Sequence, residues 1–98
     1  MLRLKVSLAL RFPHTFKYRD KMTIMGDILK SVRTSKKGLK QTQIMQSANL
    51  SYVQTKKYLN YLTNVGFVVF TEGRTYLITE KGSKFLLSVE MQMLHSMR

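Results

Sequence analysis

Residues 41–62 read QTQIMQSANLSYVQTKKYLNYL, a short helical pattern that stops and restarts. From Gln41 to Ser47 the inward-facing residues are Ile44 and Met45, followed by Ala48, which suits a short helix. Asn49-Leu50-Ser51 then interrupts the periodicity as a tight turn, and Ser51 stands where a hydroxyl accepts a hydrogen bond from the next helix's free amides. From Tyr52 to about Val65, a rotation of about 100° per residue buries Thr55, Leu59 and Leu62 and leaves Tyr52 and Tyr58 at the edges. The opposite face consists of Val53, Lys57, Asn60 and Asn64, flanked by Gln54, Lys56 and Tyr61, and it carries no acid.

Upstream of this stretch, from Asp20, Met22, Met25, Ile28, Leu29 and Val32 share one side of a helix, with Lys21, Asp27 and Lys30 on the other. Ser35-Lys36-Lys37-Gly38 ends that helix, and Leu39 follows as a single apolar residue in extended conformation. Downstream, Gly66 suits a left-handed helix cap. Phe67–Thr71 and Arg74–Ile78, two runs of β-branched and aromatic residues, flank Glu72-Gly73 as a short hairpin. Thr79 can cap a last helix from Glu80 to the C-terminus. This order predicts a mainly α chain with a small β-hairpin, in the α+β class. It is a winged helix-turn-helix with an additional C-terminal helix, in which the helix from Tyr52 enters the major groove and the hairpin is the wing.

With 98 residues the chain has room for one core, and 44% hydrophobic against 22% charged residues is the balance of a folded globule. The sequence divides into an N-terminal extension over 1–16, the winged helix-turn-helix over 17–79 and a dimerisation helix over 80–98. In the extension, Leu2, Leu4, Val6, Leu8, Leu10 and Phe12 alternate with more polar positions as in a strand, before Pro13-His14-Thr15 breaks the pattern. A mobile tail, or a start codon placed upstream of the true one, accounts for the same stretch equally well. The run is neither long nor continuous enough for a membrane span, and no small-residue cleavage site follows it, so we expect a soluble, cytoplasmic protein without a membrane partner.

Seventeen lysines and arginines face five acids, a formal charge of +12 and a pI near 10.3, and the usual physical reason for such an excess is a polyanionic partner. With no cysteine there are no disulfides, thiolate zinc sites or thiol nucleophiles. His14 and His95 are the only histidines, no carboxylates cluster, and no phosphate-cradling glycine loop or nucleophile elbow occurs. We therefore expect no enzyme, no cofactor, no metal and no small-molecule substrate, and we read the methionines as core filler.

Gln43-Ile44-Met45 leading into Ala48-Asn49-Leu50-Ser51-Tyr52, then Tyr58-Leu59, Leu62, Gly66-Phe67, Tyr76, Thr79-Glu80-Lys81-Gly82 and Phe85-Leu86, form an ordered set. From about Tyr18 to Leu94 this set resembles the archaeal winged helix-turn-helix DNA-binding proteins, a family that includes small chromatin-associated regulators dimerising through a C-terminal helix. The resemblance implies duplex DNA as partner and a homodimer. Members begin near the position of Phe16 to Tyr18, so Met1 to Thr15 has no counterpart, and the closing helix here is shorter than in members with long coiled coils.

Candidate DNA contacts follow from the exposed cations and amides. Lys56 and Lys57 can reach phosphates, Gln54 and Asn60 carry the donor–acceptor pair that reads adenine, and Val53, Tyr61 and Asn64 share their face. Arg74 beside the wing tip can reach backbone or minor groove, with Glu72 as a neighbour of opposite sign. Lys36, Lys37 and Lys40 surround Gly38 before the short helix, where free amides favour phosphate. An ordinary solvated helix face and a charged loop fit the same residues. On the last helix, Phe85, Leu86, Val89, Met93 and Met97 form one apolar stripe and Leu87, Met91 and Leu94 a second, and the second marks a dimer interface. A deeper position of this helix in the core would also bury it. Winged helices serve as protein-binding modules as well, and A-form RNA attracts the same lysines, so an acidic protein partner in a transcription-related complex and an RNA-binding module stand as competing readings.

Overall fold

A computed structural model describes residues 19–96. The expected N-terminal strand, the segment to Tyr18 and His14 lie outside the described residues, as do the side chains of Met93, His95 and Met97. The elements are α1 (Lys21–Arg33), α2 (Gln41–Ala48), α3 (Tyr52–Asn64), β1 (Val68–Phe70), β2 (Tyr76–Ile78) and α4 (Glu80–Ser96). This is the expected winged helix-turn-helix order, with α4 appended.

Each boundary has a local chemical cause. The Asp20 carboxylate accepts the Thr23 backbone N–H at 2.8 Å and so caps α1. That backbone bond, assisted by the Thr23 hydroxyl, holds the Asp20 carboxyl below its ordinary range. The stabilisation is therefore present above the unfolded value of about 3.9 and fades as pH falls through the lower folded one. At the end of α2, Asn49 adopts the left-handed conformation at φ 56°, and the Leu50 N–H bonds back to the Met45 carbonyl at 3.0 Å. The Ser51 hydroxyl accepts from Gln54 N–H at 3.1 Å and starts α3 as expected. α3 closes when Gly66, at φ 85°, lets Phe67 N–H reach the Leu62 carbonyl at 2.9 Å.

The core lies where α1, α2, α3 and α4 converge over the root of the hairpin. Ile28, Leu29, Val32, Ile44, Leu59, Leu62, Val68 and Leu86 are fully buried there. Thr55, also fully buried, donates its hydroxyl proton to the Ser51 carbonyl at 2.7 Å, which satisfies it. Two expected core positions differ. Met22 is exposed and Ile24 is buried in its place, because α1 is covered by α2 and α4 together and Met22 sits in the first turn, beyond that cover. Met45 is half-buried, and the buried residues of α2 are Ile44 and Ala48.

The hairpin pairs Val68 with Ile78, Val69 with Leu77 and Phe70 with Tyr76, antiparallel. Leu39 is extended and forms a bridge to the outer edge of β2, exchanging backbone bonds with Tyr76 at 3.1 and 2.8 Å. The turn is longer than Glu72-Gly73 alone. Thr71 N–H bonds to the Thr75 carbonyl at 2.8 Å, so Glu72, Gly73 and Arg74 form a three-residue loop, and its left-handed residue is Arg74 at φ 65°.

Thr79 joins the hairpin to α4. Its hydroxyl donates to the Gly66 carbonyl at 2.6 Å and accepts the Gly82 N–H at 3.0 Å, capping the helix. Gly82 lies so close to Phe67 that an added Cβ would fall far inside van der Waals contact distance of the Phe67 carbonyl oxygen. Gly82→Ala should therefore cost about 1–3 kcal/mol or more, as overpacking against rigid backbone does. The change should appear as a lower urea midpoint with an unaltered slope. One turn on, Phe85 stacks on Phe67 with ring centroids 4.5 Å apart, and Leu86 and Val89 enter the core.

Candidate nucleic-acid interface

All seven α3 residues singled out from the sequence are exposed: Val53, Gln54, Lys56, Lys57, Asn60, Tyr61 and Asn64. They occupy the side of α3 opposite Thr55, Leu59 and Leu62, whose burial fixes the rotation of the helix. The lysine ammonium groups stand over aromatic rings, with Lys56 Nζ 6.0 Å from the Tyr52 ring centre and Lys57 Nζ 5.9 Å from that of Tyr58.

Gln54 has a second task. Its side-chain oxygen accepts from both the Ser51 N–H and the Ser51 hydroxyl at 3.3 Å, completing a reciprocal capping box. Its carbonyl oxygen is thus engaged in starting α3, and only the NH2 end faces outward for a base edge while the cap stays closed. The Ser51-x-x-Gln54 spacing carries that signal in the sequence.

The remaining cations lie near the wing. Lys36 and Lys37 are exposed in the loop after α1, and the Thr75 hydroxyl donates to the Lys37 carbonyl at 3.0 Å, tying that loop to the hairpin. Lys40 precedes α2 without a side-chain acceptor at the cap, and its N–H is taken by the Gln43 side chain at 2.9 Å. Lys40 and Arg74 line one cleft of about 340 Å³ together with Gln41, Thr42, Phe70 and Tyr76. Nothing in the local pattern of Gln41, Thr42, Phe70 and Tyr76 reveals that α2 and the wing face each other, so their meeting at one cleft has no signal in the sequence.

The acids are placed elsewhere. Among the described residues, Asp27 pairs with Arg19 at 2.8 Å, Glu90 with Arg33 at 3.2 Å and Glu80 with Lys84 at 3.8 Å, while Asp20 caps α1. None of the candidate DNA-contacting cations takes part in these pairs. Glu72, at the wing tip, is the one acid close to them in sequence. Arg19 also donates to the carbonyls of Ala48 and Asn49, both at 3.0 Å, and so clamps the turn between α2 and α3 onto α1. Its role was not legible, since it acts across 30 residues.

On α4, Leu87, Met91 and Leu94 are 58%, 55% and 65% exposed and lie along one stripe, while Leu86 and Val89 are buried on the other. Among the described residues, no group of histidine, cysteine, aspartate or glutamate side chains could hold a metal ion, and no helix is long and apolar enough to cross a membrane.

A family model described as winged helix-turn-helix matches residues 18–97. The chain belongs to that family. Among solved structures, this winged helix-turn-helix chain is similar to Sso10a-2, a DNA-binding protein from Sulfolobus solfataricus. The TM-score is 0.67 at 30% identity, over 80% of this chain and 82% of that one. Its fold is also similar to that of a MepR mutant from a multidrug-resistant S. aureus clinical isolate, with a TM-score of 0.63 at 15% identity, over 99% of this chain and 84% of that one. An uncharacterized protein of Methanocaldococcus jannaschii is 40% identical over 72 residues, 74% of this chain. The chain spans about a third, 33%, of that relative's length.

Proposed function

We propose that this winged helix-turn-helix protein binds duplex DNA as a homodimer, acting as a transcriptional regulator or a chromatin-like protein of the nucleoid. In this reading α3 lies in the major groove and the wing, with Arg74, meets the flanking backbone or minor groove. The observation that carries it is the acid-free outer face of α3, where Lys56, Lys57, Asn60 and Asn64 are exposed while Asp20, Asp27, Glu80 and Glu90 are drawn into a cap and ion pairs elsewhere and Glu72 stands on the wing tip. Phosphate contacts would come from the lysines and from Lys36, Lys37, Lys40 and Arg74. Base reading would come from Asn60 and from the NH2 end of Gln54, with Val53, Tyr61 and Asn64 packed against the groove. The similarity to a protein described as DNA-binding supports the same reading. Residues 17–79 would form the DNA-binding unit, and α4, in 80–98, the dimer contact through Leu87, Met91 and Leu94.

A gel shift with labelled duplex DNA, challenged with unlabelled duplex DNA, duplex RNA or an acidic protein fraction, tests this. Competition by duplex DNA well ahead of duplex RNA is the expected result. Preferential competition by duplex RNA would assign the face to A-form backbone instead, and absence of any shift would move the function to a protein partner.

A further inference from the structure

We propose that the cleft between the start of α2 and the wing binds one unpaired nucleotide of a DNA strand, its base against the aromatic wall and its phosphate between Lys40 and Arg74. The inference rests on the nucleic-acid reading above but assigns the protein a preference for duplexes that carry an unpaired segment.

The cleft, of about 340 Å³, is of nucleotide rather than duplex dimensions. Phe70 and Tyr76 sit in register across the hairpin with ring centroids 4.9 Å apart and planes tilted by 51°, and both line it. Phe70 is 54% exposed although it lies within a strand. The other lining residues are two cations, Lys40 and Arg74, and two hydrogen-bonding side chains, Gln41 and Thr42, with no carboxylate among them. A phosphate and a planar ring therefore meet complementary groups side by side.

The ring faces separate this ligand from duplex backbone. Paired bases inside a duplex present only their edges in the grooves, since each face is covered by its stacked neighbours. An aromatic side chain stacks on a base without first unstacking a duplex only where that base is unpaired or terminal, and such stacking tolerates any base. Arg74 points the same way. It occupies the left-handed position of the wing loop at φ 65°, where glycine costs least, and Gly73 beside it is not the residue used there. The wing is held on the α1–α2 loop by the hydroxyl relay from Thr71 to Thr75, 2.9 Å, and on to the Lys37 carbonyl, 3.0 Å. The strands that carry the two rings are therefore held in place before a ligand arrives.

The chain contains no tryptophan, so Phe70→Trp introduces a single fluorescent reporter at the cleft. Titrations would compare a blunt duplex, the same duplex with a single-stranded extension of about six nucleotides, a single-stranded oligonucleotide of thymidines and free thymidine monophosphate, all at one salt concentration. The extended duplex should bind about tenfold more tightly than the blunt one and quench the tryptophan, as one stacked base does. Phe70→Ala should abolish that tenfold difference with blunt-duplex affinity unchanged, and Phe70→Tyr should keep it. Equal affinities for blunt and extended duplexes, or an equal loss for both in Phe70→Ala, would overturn the proposal. Quenching by the free monophosphate at the same concentrations as the extended duplex would also overturn it, because the site would then take free nucleotides. The blunt-duplex arm reads the general DNA-binding function by itself, so failure of that function and failure of the cleft assignment are distinguishable: quenching by the single strand supports the cleft even without blunt-duplex binding.

Discussion

Raising monovalent salt from about 50 to about 200 mM should lower the affinity for duplex DNA roughly a thousandfold, with a log–log slope near −5, if about half of a dimer's candidate cations, roughly three from each protomer, displace counterions at about −0.9 each. The basis is the set of exposed cations that no carboxylate neutralises among the described residues: Lys36, Lys37, Lys40, Lys56, Lys57 and Arg74. Lys56→Ala and Lys57→Ala should each flatten the slope by about 0.9 per protomer, and affinity should fall most at low salt, where counterion release is worth most. Both lysines are exposed on α3 and contribute nothing to the core, so thermal unfolding of the variants should match the unmodified chain. Fluorescence anisotropy across a salt series provides the measurement. A slope near zero would refute groove binding and favour a protein partner. Selection on random duplexes separates base reading from backbone reading. Asn60→Ala should change the preferred motif, whereas Arg74→Ala should weaken all sequences alike if Arg74 meets only phosphate.

The sequence made some of this surface legible because local chemistry fixed it. Ser51 and Thr79 cap helices through their own hydroxyls, and Asn49 and Gly66 take left-handed conformations within a few residues of the helices they end. Such features depend on neighbours in the chain and leave a trace in composition. The rotation of α3 was equally readable, since Thr55, Leu59 and Leu62 share one face and everything opposite them had to be exposed. What stayed hidden depends on contacts between distant segments. By spacing Met22 shares the apolar side of α1 with Met25, Ile28, Leu29 and Val32, and only the packing of α2 and α4 against α1 decides that Met22 is exposed while Ile24 is buried. The wing loop differs from a two-residue turn by one step of strand register, and nothing in Thr71–Thr75 alone discloses that Arg74 takes the left-handed position. The Arg19 clamp and the aromatic cleft are likewise products of the fold and not of a motif.

Substituting Leu87, Met91 and Leu94 together by glutamate should give a folded monomer that binds DNA at least about a hundredfold more weakly, the loss expected when two linked contacts become one. Apolar side chains at this spacing, each more than half exposed on one protomer, make a stripe along a helix whose other side is already held in place. That hold comes from Leu86 and Val89 in the core, from the Arg33–Glu90 pair at 3.2 Å and from the Phe67–Phe85 stack. None of these contacts involves the three substituted residues, so the fold has no reason to fail. A second copy of the chain fits the stripe because a twofold axis would set α4 against α4, covering both stripes at once and placing two copies of α3 on one duplex. Glutamates are costly in such an interface and tolerable in water, so they split the dimer without disturbing the protomer. Added carboxylates also repel DNA directly, and a triple glutamine variant controls for that. It should be monomeric and lose the bivalent part of the affinity alone. Sedimentation equilibrium on the unmodified chain is decisive: a dimer that persists at tens of micromolar, roughly the range where stable dimers remain associated, is expected. A monomer at that concentration would refute the self-association of α4 and reassign the stripe to a different protein.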